Sequence, residues 1–125
     1  MVLQNSVSKT GFELVYKNDL FKCAFITQNE QYAPGKISCL KRHNKSDEIF
    51  VLIQGKAVLI TGEQTDGEYD ATELHFGRSY CVTAGTWHYM AVSDDAKVFV
   101  VENADVSKEN TDELNIEEQN IILAV

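Results

Sequence analysis

The chain reads as an all-β domain, a small sandwich or barrel, and three observations say so. From about Phe12 to Asn103, short runs rich in Val, Ile, Phe, Tyr and Thr recur at the spacing of strands in such folds. Residues that form turns for known dihedral reasons separate these runs. With 125 residues, 44% apolar and 24% charged, the chain has the size and composition of one folded domain with a real core.

Taken in order, the pattern predicts strands at 12–16, 20–27, 36–42, 48–54, 56–61, 72–75, 79–82, 87–92 and 97–102. Ala33-Pro34-Gly35 separates the second from the third, and Asn44-Lys45-Ser46-Asp47 the third from the fourth. Gln54-Gly55, Thr65-Asp66-Gly67 and Ser93-Asp94-Asp95 supply later turns. The run Ile49-Phe50-Val51-Leu52-Ile53 is apolar at both parities, so both of its faces need cover. One cover comes from the facing sheet. The other must come from the N-terminal strands, the C-terminal segment or a second subunit, and the last option predicts a homodimer. Beyond Asn103 the composition shifts: Asp105 to Glu118 holds six acidic residues and one lysine. Asn115 and Glu118 have capping-box spacing, which predicts a short helix over 116–124, although Ile121-Ile122-Leu123 suits a strand equally well. The whole of 1–125 is thus one domain with its core at about 12–103 and an acidic segment over 104–125.

Charge narrows the partners. Eleven Lys and Arg against 19 Asp and Glu give a net charge of -8, which repels phosphate polyanions and anionic lipid headgroups, so neither nucleic acid nor membrane is expected as a partner. The start, MVLQNSVSKTGFELV, has no basic stretch followed by an apolar one, and a cytoplasmic location is expected. Cys23, Cys39 and Cys81 are scattered and odd in number, as reduced thiols used as small core residues would be. No G-x-S-x-G, G-x-G-x-x-G, G-x4-G-K-[ST] or H-E-x-x-H occurs, so serine hydrolase, nucleotide-binding and zincin chemistry lack support and no nucleotide cofactor is expected.

His43 and Glu48 flank a four-residue turn between two strands, and His88 opens a later strand. Two imidazoles and one carboxylate that converge in a barrel leave open positions on a divalent ion such as iron, manganese, nickel or zinc. The residues around them resemble the two motifs of the cupin family. The first, G-x5-H-x-H-x(3,4)-E-x6-G, is matched in every spacing by Gly35, Lys41, His43, Glu48 and Gly55. The second, G-x5-P-x-G-x2-H-x3-N, is matched in every spacing by Gly77, Thr83, Gly85, His88 and Val92, with Thr83 in place of the proline and Val92 in place of the asparagine. The resemblance implies a small double-stranded β-barrel of jelly-roll type, commonly dimeric, with a metal in its mouth and His43, Glu48 and His88 as ligands. Gly55 and Gly85 are read separately, as positions of positive φ or close backbone approach.

Lys41 stands where the family has a histidine ligand, and an ammonium does not coordinate a metal. Three outcomes are open. The triad holds a metal while Lys41 meets an anionic substrate; or Lys41 pairs with Glu48 and no metal binds; or a desolvated Lys41 is itself a catalytic base or nucleophile. A fourth is that it reaches outward to solvent. Tyr32, Met90 and Glu102 join Lys41 as substrate-pocket candidates, with Trp87, Tyr89 and Tyr80 as weaker ones, whereas His75 reads as a strand-end surface residue. Two functions therefore compete. One is a metal-dependent cupin that acts on a small anionic metabolite by oxygenase, isomerase or lyase chemistry. The other is a metal-free module for a sugar or carboxylate ligand, with Lys41 and Glu48 filling the site.

Overall fold

The structure is a computed structural model, which describes residues 1–62 and 69–119. Its strands are β1 (Gly11–Lys17), β2 (Phe21–Thr27), β3 (Ile37–His43), β4 (Glu48–Gln54), β5 (Ala57–Gly62), β6 (Tyr69–Glu73), β7 (Ser79–Val82), β8 (Trp87–Val92), β9 (Lys97–Asn103) and β10 (Thr111–Gln119). They form two five-stranded sheets, ordered β1-β2-β9-β4-β7 and β10-β3-β8-β5-β6, in which each paired neighbour is antiparallel. The inner faces meet in a core that includes Ala24, Ile26, Phe50, Leu52, Leu59, Met90, Val98 and Val100. A second cluster gathers Ile37, Leu40, Val58, Ile60, Trp87 and Ala91 on the β10-β3-β8-β5-β6 sheet, with Leu114 and Ile116 packed against it. No helix among the described residues is long and apolar enough to cross a membrane.

Nine strands follow the sequence pattern closely, with one shift. The sixth starts earlier than 72–75, at Tyr69, because it pairs with Gly62 and Thr61 at the sheet edge, where Asp70 and Glu73 point to water at little cost. Leu74 leaves that strand to enter the core and donates its N–H to the Ala57 carbonyl at 2.9 Å.

The C-terminal expectation is corrected. Residues 116–119, placed in a helix by the Asn115/Glu118 spacing, belong to β10, and Asn115 sits opposite Cys39 in the ladder with β3. The remainder of the expected helix, 120–124, lies outside the described residues. Local spacing lost to tertiary pairing: Leu114 and Ile116, two apart, face the second cluster, while Glu113, Asn115 and Glu117 alternate with them and are exposed, Glu113 on the side of Lys41.

Two further expectations change. Among the described residues the outward set of β4 finds no full cover, since Ile49 and Ile53 are 39% and 52% exposed. The cysteines are free, as expected, but they are not core residues: Cys23 and Cys39 are half-buried and Cys81 is exposed. Gly55 has both properties read for it, a φ of 74° and a position where a Cβ would lie 2.6 Å from the Ala96 Cα. Gly85 has only the positive φ, 84°.

Candidate metal centre

Four strand ends bring the site together at one mouth of the barrel. His43 ends β3, Glu48 starts β4, His88 is second in β8 and Glu102 is next to last in β9. The turn between His43 and Glu48 is tied down on several sides. Asp47 accepts the Ala84 N–H at 2.9 Å, the His43 carbonyl accepts the Gly85 N–H at 2.9 Å, and buried Ser46 accepts the Asn103 N–H at 2.9 Å. Both motif segments and the end of β9 are thereby held in one rigid corner, which a lone polar turn would not achieve.

Within that corner the three expected ligands converge. One ligand atom from each of His43, Glu48 and His88 lies within 4.8 Å of the other two. His43 Nε2 is 2.8 Å and His88 Nε2 3.8 Å from Glu48 Oε2. Both ring orientations are set from behind. His88 Nδ1 donates to the Thr86 carbonyl at 2.9 Å, which leaves the Nε2 of a neutral ring with its lone pair toward Glu48. His43 Nδ1 is 2.9 Å from the Thr111 hydroxyl.

Burial pushes the Glu48 carboxyl up, but the two imidazoles at its oxygen outweigh that and hold it below the ordinary carboxylate value. Burial lowers His88, yet Glu48 more than compensates, so the ring is held above its usual value. Glu102 is raised by burial first and by the neighbouring Glu48 charge second, against the opposing pull of Lys22. The donor set fits a divalent ion, and one atom shows why. Among the described residues, buried Glu48 Oε2 has no hydrogen-bond partner of good geometry, although the His43 ring stands 2.8 Å away. Ligand atoms about 2.1 Å from one ion stand about 3.0 Å apart at right angles and about 4.2 Å apart when opposite, a span that contains the 3.8 Å contact of His88 with Glu48 and begins just above the 2.8 Å contact of His43.

A cavity of about 280 Å³ opens over these residues. Lys41, Tyr32, Met90 and Glu102, the pocket candidates, all line it together with His43, Glu48 and His88. Phe12, Ile26, Gln31, Phe50 and Tyr89 line it too, and the sequence reading had assigned the pocket none of the first four. Tyr32 and Tyr89 stack at 5.3 Å with an interplanar angle of 9°. Trp87 faces elsewhere, under the Arg42 guanidinium at 4.4 Å, and His75 is exposed beyond β6.

Lys41 does not pair with Glu48. Its ammonium lies 3.8 Å from Glu113 on β10, with the side chain 39% exposed, so it borders the cavity from the rim. The arrangement in which Lys41 and Glu48 fill the site is absent because Glu48 is turned toward the imidazoles and Glu113 supplies the nearer carboxylate. Thr111, Glu113 and Lys22 are the neighbours that sequence reasoning missed. The first two lie on the strand read as an acidic tail, where only the Leu114/Ile116 alternation signalled a sheet edge. Lys22 is a β2 lysine whose partner, Glu102, is named only by the register of β2 with β9.

No curated protein sequence matches the chain. Among solved structures, BH2720 from Bacillus halodurans shares 13% identity, with a TM-score of 0.62 over 88% of this chain and 80% of that one. QdtA, a sugar 3,4-ketoisomerase from Thermoanaerobacterium thermosaccharolyticum solved with TDP, shares 13%, with a TM-score of 0.57 over 72% and 64%. Bacillus subtilis oxalate decarboxylase, studied for its Mn(II) centers, shares 19%, with a TM-score of 0.57 over 90% of this chain and 30% of that one. At such identities they attest the fold. The model of the cupin domain matches residues 29–102, the stretch that carries both motifs, all three converging ligands and Glu102, and the chain belongs to the cupin family.

Proposed function

We propose that this cupin is a metal-dependent protein that acts on a small anionic metabolite, with His43, Glu48 and His88 holding one first-row divalent ion and Lys41 meeting the anionic group of the ligand. The observation that carries the reading is the buried, unpartnered Glu48 oxygen between two imidazoles. A buried acceptor without a donor is costly, and a cation there removes the cost. The bound ion would supply a Lewis acid with coordination positions left open on the cavity side. The chain's own residues do the rest: Thr86 and Thr111 orient the rings, the Tyr32–Tyr89 stack and Phe50 exclude water from one wall, and Lys41 supplies a positive charge at the rim. A similarly folded sugar isomerase with TDP and a decarboxylase with Mn(II) centers support a small-molecule, metal-linked role over a purely structural one. The metal-free module would have Lys41 and Glu48 fill the site, and Lys41 lies 3.8 Å from Glu113 instead.

Protein purified without an affinity tag tests this by metal analysis. About one divalent ion per chain is expected, and His43→Ala or His88→Ala should each lower occupancy strongly. Wild-type protein that stays metal-free after incubation with iron(II), manganese, nickel and zinc would reject the reading.

The same proposal includes a symmetric dimer through the outer face of the β1-β2-β9-β4-β7 sheet. Ile49, Val51 and Ile53 continue across the register into Val101 and Phe99, and Phe99 meets Phe25 edge-on at 5.4 Å. Such an apolar face left to water favours self-association. Sedimentation should give twice the 14.0 kDa chain mass, and Ile49→Asp should shift it to the monomer. A wild-type monomer at micromolar concentration would refute the pairing. The three free thiols suit the reducing cytoplasm, where we place the protein.

A further inference from the structure

Glu48 and Glu102 are direct partners across β4 and β9, both side chains pointing into the barrel and only 5% and 7% exposed. Like charges placed opposite each other on a sheet destabilise it, and burial sharpens the repulsion. One cation is nearby. Lys22 Nζ lies 3.7 Å from Glu102 Oε1 and donates to the Val106 carbonyl at 2.7 Å, so it is held beside Glu102. Among the described residues, the ion-pair partners of Glu48 are His43 and His88, with no lysine or arginine. With both groups ionised, two carboxylates face one lysine, and either protons on Glu102 and His88 or a bound cation makes up the difference.

The geometry says where that charge belongs. With Oε1 taken by Lys22, the other oxygen, Glu102 Oε2, lies 4.0 Å from His43 Nε2, at the edge of the tighter group formed by His43, Glu48 and His88. This separation lies within the span of about 3.0–4.2 Å for atoms that share one ion. We infer that Glu102 is a fourth, single-oxygen ligand to the ion at His43, Glu48 and His88, and that Lys22 selects the oxygen it presents. The inference rests on the metal reading above and goes beyond it. The site becomes two imidazoles and two carboxylates, a donor set that favours harder ions such as manganese(II) or iron(II). The charges of the two carboxylates and a divalent ion then balance without Lys41, which stands at the rim beside Glu113.

The test uses the full chain, stripped with chelator and titrated with manganese(II) by calorimetry and with cobalt(II) by visible spectroscopy. Glu102→Gln should bind manganese(II) at least about tenfold more weakly, and its cobalt(II) bands should shift because the ligand field changes. Glu102→Asp keeps the charge but withdraws the oxygen, so it should also weaken binding. Circular dichroism of the stripped variants checks that each folds. Binding by Glu102→Gln within twofold of wild type, with unchanged cobalt(II) bands, would overturn the inference and leave the three-ligand reading intact. Weaker binding by Glu102→Gln with unchanged bands, and full binding by Glu102→Asp, would also overturn it, since charge at a distance would then suffice. Wild-type protein that binds neither metal would overturn the metal reading and this inference together.

Discussion

Thr111→Val isolates the link between the C-terminal strand and the metal centre. Thr111 sits opposite His43 in the β10–β3 ladder, with its hydroxyl 2.9 Å from His43 Nδ1. An ion on Nε2 requires the proton on Nδ1, and the Thr111 hydroxyl then accepts it. Valine keeps the shape and the β-branching, so the substitution removes one hydrogen bond and little else. The ring is only 12% exposed, and an unsatisfied donor there costs about 1–3 kcal/mol. Because the ring borders an open cavity, we expect the lower end, about 1 kcal/mol, or about 3–5 °C in the Tm of the stripped protein. Freed from its partner, the imidazole should also lose about tenfold in metal affinity. At saturating metal that loss adds about 1.4 kcal/mol, so the gap between wild type and variant should more than double when metal is present. Thermal scans with and without manganese(II), alongside calorimetry, measure both terms, and Thr111→Ser should restore the affinity. Equal metal affinity in wild type and Thr111→Val, despite a lower Tm, would show that β10 supports the fold and not the ligand.

Lys41→His should raise metal affinity by about tenfold or more, as it adds a neutral donor and removes a repelling charge, while Lys41→Ala should retain the metal; loss of metal from Lys41→Ala in calorimetry would contradict a rim role. The stripped protein should lose stability as pH rises from about 4.5 to about 8. The fold favours protonated Glu102 and charged His88, so what they contribute is present below their unfolded values of 4.5 and 6.5 and is lost through their raised folded ones. Glu48, held low, acts in the opposite sense, but only as pH falls below 4.5. Chelator-treated samples scanned across that range should show a falling Tm, which added manganese(II) reverses; a rising Tm without metal would refute the assignment. Gly55→Ala should destabilise by about 2 kcal/mol or more, from its φ of 74° and the 2.6 Å approach of Ala96 Cα; denaturant unfolding within about 0.5 kcal/mol of wild type would count against that strain.

The sequence alone determined nine of the strands, the turn between His43 and Glu48, and the three side chains that converge there, because each rests on local signals. β-branched and aromatic runs mark strands, glycine and aspartate mark turns, and spacing carries the motifs. It also named Lys41, Tyr32, Met90 and Glu102 as pocket residues, and all four line the cavity. What only the tertiary structure decided depends on partners far apart in the chain. Thr111–Gln119 is strand and not helix because β3 offers it a ladder and the second cluster takes Leu114 and Ile116; its acidic residues signal nothing of the kind locally. Lys41 turns to Glu113 because that strand runs beside it. Glu48 faces Glu102, and Glu102 faces Lys22, through register across β4, β9 and β2. An edge strand draws its stability from the pairing it joins, and a buried charge takes its meaning from the group across the sheet, so neither is written in the residues on either side.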